Sequence, residues 1–176
     1  RRSFEYAHVL EEKGFRTPSA VAYIEERRCG LFAESYLVTL NEEYPQMMRR
    51  FLSDESLTDE GKMVLRAFAA YTVRLHEAGV LHEDYSPGNI AFEIAGDKVS
   101  FSLFDINRMH FGRLSRKRCL HNLCRITPSI VVLSYLAGEY ARLRGWNVEE
   151  SVAEALRAQT RFFNWATYRY VRRRSR

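Results

Sequence analysis

The sequence predicts an α+β protein in which a helix and two strands precede a mainly α-helical region. Three observations lead to this prediction. The hydrophobic period changes from that of a helix to that of strands near Ala20, a second hairpin pattern begins at Ile90, and helical spacing dominates after Ser129. The 176 residues contain no repeat and no linker rich in proline or glycine. We therefore expect one continuous unit.

The first predicted elements are a helix and a β-hairpin. Apolar spacing predicts a helix over residues 3–12, and Gly14 is placed to end it. Aromatic and β-branched residues predict strands over residues 20–26 and 31–40, with a turn at residues 27–30.

A long helix and a second hairpin follow. Thr58 is a suitable N-cap for a helix over residues 59–78, because the apolar residues of that segment form one stripe. Short strands are predicted over residues 90–94 and 99–104, joined by a turn of Ala, Gly, Asp and Lys.

The rest of the chain is predicted to be helical. Residues 129–143 are apolar around most of a helix, so we expect this helix to lie buried at the centre of the helical region. A last helix begins near Asn147.

Composition and cysteine content are typical of a cytoplasmic globular protein. No stretch approaches the roughly 18 apolar residues of a membrane span, and the first residues lack the apolar stretch of a signal peptide. The cysteines are few and odd in number, so we expect reduced thiols. Cys119, His121 and Cys124 are close in sequence and could contribute to a zinc site. A structural zinc site takes four ligands, however, and we expect no structural metal.

The net charge of +5 comes from the C-terminal end. Residues 161–176 contain six arginines and no acidic residue, whereas the rest of the chain is nearly balanced. Such a segment can contact anionic lipid or a phosphorylated sugar, or it can simply be solvated. We expect no nucleic-acid partner, since one short basic end lacks an element that reads a groove.

Residues 82–89, between the long helix and the second hairpin, have the pattern of a catalytic loop. Asp84 and Asn89 can direct two oxygen-bearing side chains to one place, and Asp105 arrives from the end of the following hairpin. Oxygen ligands from separate segments suit Mg²⁺. Asp84 can then orient an attacking hydroxyl, which is the division of roles in phosphoryl transfer.

These residues resemble a known pattern. His82, Asp84, Pro87 and Asn89 coincide with the protein-kinase motif H-R-D-L-K-P-E-N. The form H-x-D-x-S-P-G-N, followed by F-D-I-N-R-M, looks most like the bacterial lipopolysaccharide kinase (Kdo/WaaP) family, and aminoglycoside phosphotransferases have a similar loop. The segment Gly14-Phe15-Arg16-Thr17-Pro18 is also similar to the lipopolysaccharide kinase family.

The resemblance implies a protein-kinase-like fold, with residues 1–40 as the remainder of an N-lobe with the hinge and residues 41–176 as a helical C-lobe. It implies ATP and Mg²⁺ as cofactors. The catalytic residues would be Asp84 and His82, with His82 supporting the loop, and the metal ligands would be Asn89 and Asp105.

Three further site residues are implied by the same resemblance. Glu5 would be the glutamate of the N-lobe helix, and Glu34 and Tyr36 would lie at the hinge, against the nucleotide. A glycine-rich loop and a strand lysine do not precede these residues in the sequence. We expect that the chain is a piece of a longer protein, because Arg1 begins within a helical pattern.

Three functions remain open at this point. The first is a kinase that uses ATP to phosphorylate a hydroxyl of a lipopolysaccharide core sugar or a related saccharide or glycolipid. The second is an atypical protein kinase of the RIO type, against which Ser86 argues because serine/threonine protein kinases usually have lysine there. The third is a kinase-shaped binding module without turnover. For a glycolipid substrate, the arginines of residues 161–176 would make peripheral contact with the inner membrane.

Overall fold

The computed structural model of the protein describes residues 1–29, 31–43 and 46–174. Its helices and strands, in chain order, are α1 (Arg2–Glu12), β1 (Ala20–Arg28), β2 (Leu31–Thr39), β3 (Gln46–Met47), α2 (Asp59–Glu77), β4 (Val80–His82), β5 (Ile90–Ala95), β6 (Lys98–Leu103), β7 (Met109–Phe111), α3 (Arg116–Leu123), α4 (Ile130–Leu143) and α5 (Val148–Arg174). No helix in these ranges is long and apolar enough to cross a membrane.

The N-terminal part is the predicted helix and hairpin. Gly14 ends α1 with a φ of +77°, a conformation that a residue with a Cβ rarely adopts. β1 and β2 pair antiparallel, with Tyr23 opposite Leu37. The predicted turn includes Gly30, which lies outside the described residues.

The hydrophobic core lies around α2. Thr58 caps this helix as predicted, accepting a hydrogen bond on its Oγ1 from the Gly61 N–H at 3.1 Å. The buried face of α2 carries Phe68 and Tyr71, which contact Phe101 of β6 at ring-centroid distances of 5.3 and 5.1 Å. The second hairpin is thereby held against the helix that precedes the catalytic loop.

A two-stranded ribbon of β4 and β7 was not predicted. It pairs Val80 with Phe111 and His82 with Met109. Gly79 precedes it at a φ of +72°, and a Cβ on this residue would lie 2.8 Å from the Gly112 backbone oxygen. The ribbon brings the start of the catalytic loop beside the segment that follows Asp105.

The burial expected for residues 129–143 is found on one face only. Leu136 and Ala137 are fully buried, whereas Ile130 and Val131 are 63% and 49% exposed. The difference arises because α4 packs between α2 and α5, which leaves the outer side of its first turn in solvent.

His76, at the end of α2, belongs to a buried polar chain. Its Nε2 lies 3.1 Å from Asn122 Oδ1 and its Nδ1 lies 2.9 Å from the Tyr140 hydroxyl. The neutral ring donates to the amide oxygen and accepts from the hydroxyl. The Asn122 amide donates in turn to the backbone oxygen of His82 at 2.9 Å. The chain therefore connects the helical core with the catalytic loop.

Stability is expected to fall as pH decreases from about 6.5 to about 4. Burial lowers the pKa of His76 from 6.5 to about 4, with a smaller opposing effect of the Asn122 hydrogen bond. Between these values the unfolded chain binds a proton that the folded chain excludes, so the free energy of unfolding decreases by up to about 3 kcal/mol.

Urea unfolding at several pH values, with the wild type and His76→Gln, measures this effect. The wild type loses more stability than the variant across that range. Equal pH dependence in the two proteins would show that His76 does not carry the effect.

Candidate active site

The catalytic loop is held by two hydrogen bonds of His82. The Asp84 N–H donates to Nδ1 at 3.0 Å, and Nε2 lies 2.9 Å from the backbone oxygen of Phe104. Because Nδ1 accepts, the ring carries its proton on Nε2 and donates it to that oxygen. Burial lowers the pKa of His82, which favours this neutral form. His82 therefore ties the backbone of Asp84 to the residue before Asp105.

Asn89 makes the second connection within this site. Its Nδ2 donates to the backbone oxygen of Asp84 at 3.0 Å, and its own backbone oxygen accepts from the Phe104 N–H at 2.8 Å. The amide oxygen of its side chain is then the atom that Asn89 can offer to a cation. Three predicted residues, His82, Asp84 and Asn89, are thus joined to the strand end that carries Asp105.

Asp105 has a φ of +51°, which is uncommon for a residue with a side chain. Strained backbone of this kind persists where the surrounding structure imposes it, and it is concentrated at functional sites. Asp105 also lines a cavity of about 210 Å³ beneath α1 and β2, together with Ser3, Ala7, Leu37 and Thr39.

Arg125 is a site residue that the sequence analysis missed. Its guanidinium forms an ion pair with Asp84 Oδ1 and donates to the Glu83 backbone oxygen at 2.7 Å. The ion pair orients the Asp84 carboxylate and leaves its second oxygen for another partner. Arg125 is 41 positions from Asp84 and lies after α3, so no local spacing signals the contact.

Glu5 does not belong to the site. It is exposed and forms an ion pair with Arg1 at 2.8 Å. Ser3 and Ala7 face the cavity of Asp105, and Glu5 lies midway between them in sequence, which places it on the opposite side of an α-helix. The prediction of Glu5 as the helix glutamate is corrected on this geometry.

The prediction that Glu34 and Tyr36 lie at the hinge, against the nucleotide, is also corrected. Both lie within β2 rather than in a hinge, and they bond to each other through the Tyr36 hydroxyl. Successive side chains of a strand point to opposite faces, and Leu37 and Thr39 take the face toward Asp105. Glu34 and Tyr36 therefore face away from that cavity, and the segment that follows β2 begins at Leu40.

The remaining candidates from the sequence are the cysteines and the C-terminal arginines. Cys119 and Cys124 are buried, and burial raises the pKa of both thiols, that of Cys124 to about 11. They are therefore protonated thiols that pack as small apolar groups. Among the C-terminal arginines, the side chain of Arg161 is described. After Tyr168 the structure describes the α-helical backbone as far as Arg174, but not the side chains. Contact of the tail with a membrane stays a prediction.

Comparisons with known proteins identify the family and the fold. A model of the lipopolysaccharide kinase (Kdo/WaaP) family matches residues 1–146. A search of curated proteins finds no match. The solved structure of WaaP in complex with acyl carrier protein is similar, with a TM-score of 0.64 and 20% identity over 92% of this chain and 73% of that chain. This likeness confirms the protein-kinase-like fold. Because the family model matches most of its length, the chain belongs to the lipopolysaccharide kinase (Kdo/WaaP) family, a family of phosphotransferases.

Proposed function

We propose that the protein transfers the γ-phosphoryl group of ATP to a hydroxyl of a lipopolysaccharide core sugar. The observation that carries this proposal is the set of hydrogen bonds through which His82 and Asn89 hold Asp84 beside the strand end of Asp105. Membership of the family supports a saccharide acceptor over a protein acceptor and supports turnover over binding alone.

Asp84 is the residue that acts on the acceptor. Its Oδ1 is engaged by Arg125, and Oδ2 is the oxygen that would accept a hydrogen bond from the acceptor hydroxyl. In the reaction the acceptor oxygen bonds to the γ-phosphorus, the bond from that phosphorus to the leaving ADP oxygen breaks, and the hydroxyl proton moves to Asp84. Positioning of the two reactants contributes further to the rate.

Asn89 and Asp105 fit the ligand preference of Mg²⁺. One offers an amide oxygen and the other a carboxylate, from two segments joined by the hydrogen bond of Phe104 to Asn89. A bound Mg²⁺ would neutralise charge on the nucleotide phosphates. The role of this chain is to hold together the two segments that carry these oxygen ligands, through the hydrogen bond from Phe104 to Asn89.

Replacement of Asp105 by asparagine is expected to remove the Mg²⁺ dependence of nucleotide binding. The neutral amide is a weaker ligand for a hard cation, so the affinity for ATP in the presence of Mg²⁺ falls roughly tenfold or more, the range found when metal sites are weakened. Titration of ATP with and without Mg²⁺, using the full-length protein, measures both affinities.

Asp97→Asn is a matched control. It makes the same chemical change at a residue that is exposed in the turn between β5 and β6. Its affinity for ATP should equal that of the wild type in both conditions. If the affinity of the wild type for ATP were the same with and without Mg²⁺, Asn89 and Asp105 would not be ligands of Mg²⁺.

A further inference from the structure

A second cavity, of about 390 Å³, borders the catalytic loop between α3 and α5. We call it the arginine cavity, and its charged, polar and aromatic lining includes Glu83, Arg118, His121, Arg125, Arg161 and Phe162. Its volume lies within the usual range for a small-molecule site. It shares no lining residue with the cavity of Asp105, so the two are separate cavities.

The lining has an excess of positive charge. Arg118 forms an ion pair with Glu83 at 2.5 Å, and Arg125 is engaged by Asp84. Arg161 donates its Nε to the backbone oxygen of Arg157 at 3.2 Å, and no carboxylate in the described part of the chain forms an ion pair with it. An arginine fork of this kind suits a phosphate or a carboxylate.

Two buried nitrogens of the lining lack a hydrogen-bond partner among the described residues. They are Arg125 Nε and His121 Nε2. The latter lies 3.8 Å from Glu154 Oε1, which is too far for a hydrogen bond. The Arg125 Nε–H is always a donor, and buried donors are normally satisfied, so this atom points to an occupant with acceptor oxygens. Phe162 covers the Arg125 guanidinium, whose Cζ lies 4.9 Å from the centre of the phenyl ring, and rotation of the Phe162 side chain would open the Arg125 donor to a ligand.

Arg125 connects this cavity with the reacting group. The same guanidinium lines the cavity and contacts Asp84. Only this group would therefore separate an anion bound to Arg125 from the carboxylate of Asp84, the proposed base. The proposed metal ligands Asn89 and Asp105 are absent from the lining. The geometry therefore favours the acceptor over the nucleotide as the source of the anion.

We propose that the arginine cavity binds a phosphate or carboxylate group of the saccharide acceptor and so presents the acceptor hydroxyl to Asp84. This inference rests on the proposed function. It also assigns Arg161 to the substrate site, although the sequence analysis grouped it with the basic tail.

The first test measures the binding of inorganic phosphate to the full-length protein directly, by calorimetry or by changes in NMR chemical shifts. Arg161→Gln should weaken phosphate binding roughly tenfold or more, the effect of losing a charge-assisted hydrogen bond. Arg157→Gln is the matched control, because it removes an exposed arginine one turn earlier on α5 that is not part of the lining. Its affinity should stay within twofold of the wild type. Phosphate binding that is equal in the wild type and Arg161→Gln would overturn the proposal.

The second test identifies the source of the anion by inhibition kinetics. Inorganic phosphate should compete with the saccharide acceptor and not with ATP, and Arg161→Gln should raise the acceptor KM about tenfold while the KM for ATP stays the same. Phosphate that competes with ATP, or that inhibits without competing with the acceptor, would contradict an acceptor subsite. The binding test needs no turnover, and Mg²⁺-dependent ATP binding is measured separately. A result that contradicts anion binding in the arginine cavity is therefore distinguishable from a result that contradicts the kinase function.

Discussion

Asp84→Asn is expected to lower phosphoryl transfer by roughly 10²–10⁴-fold, the usual contribution of a positioned base. The side chain of Asp84 is 26% exposed, and its ion pair is with Arg125. Asparagine has the same shape, and its amide oxygen can still accept from that arginine, so the fold should be unchanged. The amide cannot take the proton of the acceptor hydroxyl, and the loss should therefore appear in kcat.

Steady-state kinetics of the full-length protein with ATP and a lipopolysaccharide core saccharide measures this loss. Asp97→Asn, at the remote hairpin turn, should have wild-type kcat. An Asp84→Asn variant that keeps wild-type turnover would remove Asp84 from the mechanism.

Phe68→Ala is expected to destabilise the fold by about 3–5 kcal/mol, as for other large-to-small substitutions of buried aromatic residues. Phe68 is fully buried and stacks on Tyr85 at a centroid distance of 5.6 Å, with Phe101 at 5.3 Å on another side. Tyr85 directly follows Asp84, so the cavity left by the substitution would form beneath the catalytic loop.

Urea unfolding of the variant and the wild type gives the change in the free energy of unfolding. Leu143→Ala is the control, because Leu143 is 54% exposed at the end of α4, and its change should stay within about 0.5 kcal/mol. Equal losses for Phe68→Ala and Leu143→Ala would mean that the aromatic cluster does not support the fold.

The sequence predicted the elements that have a long hydrophobic period or a defined cap. The helix after Thr58 and the two hairpins are examples. The β4–β7 ribbon was missed, because strands of three residues are too short to show a period of two. α3 lies in the region predicted to be helical, but it received no bounds of its own because Arg116–Leu123 is mostly polar and only eight residues long.

The site was predictable where its residues are close in sequence. His82, Asp84 and Asn89 share one loop, and the following hairpin returns to Asp105. The faces taken by Glu5, Glu34 and Tyr36 depend on how α1 and β2 pack over that aspartate. Tertiary packing also decides which arginine contacts Asp84 and which residues line the arginine cavity, so the positions of Arg125 and Arg161 could not be found from local patterns. The division into lobes at residue 40 stays a prediction.

The measurement that tests the central proposal most directly is transfer of labelled γ-phosphate. The full-length protein is incubated with γ-labelled ATP, Mg²⁺ and a lipopolysaccharide core saccharide, beside a reaction with a general protein substrate. We expect the label to appear in the saccharide with the wild type, to be absent from the protein substrate, and to fall at least 10²-fold with Asp84→Asn. Label in the protein substrate, or no transfer from ATP that is bound with Mg²⁺, would contradict the proposed function.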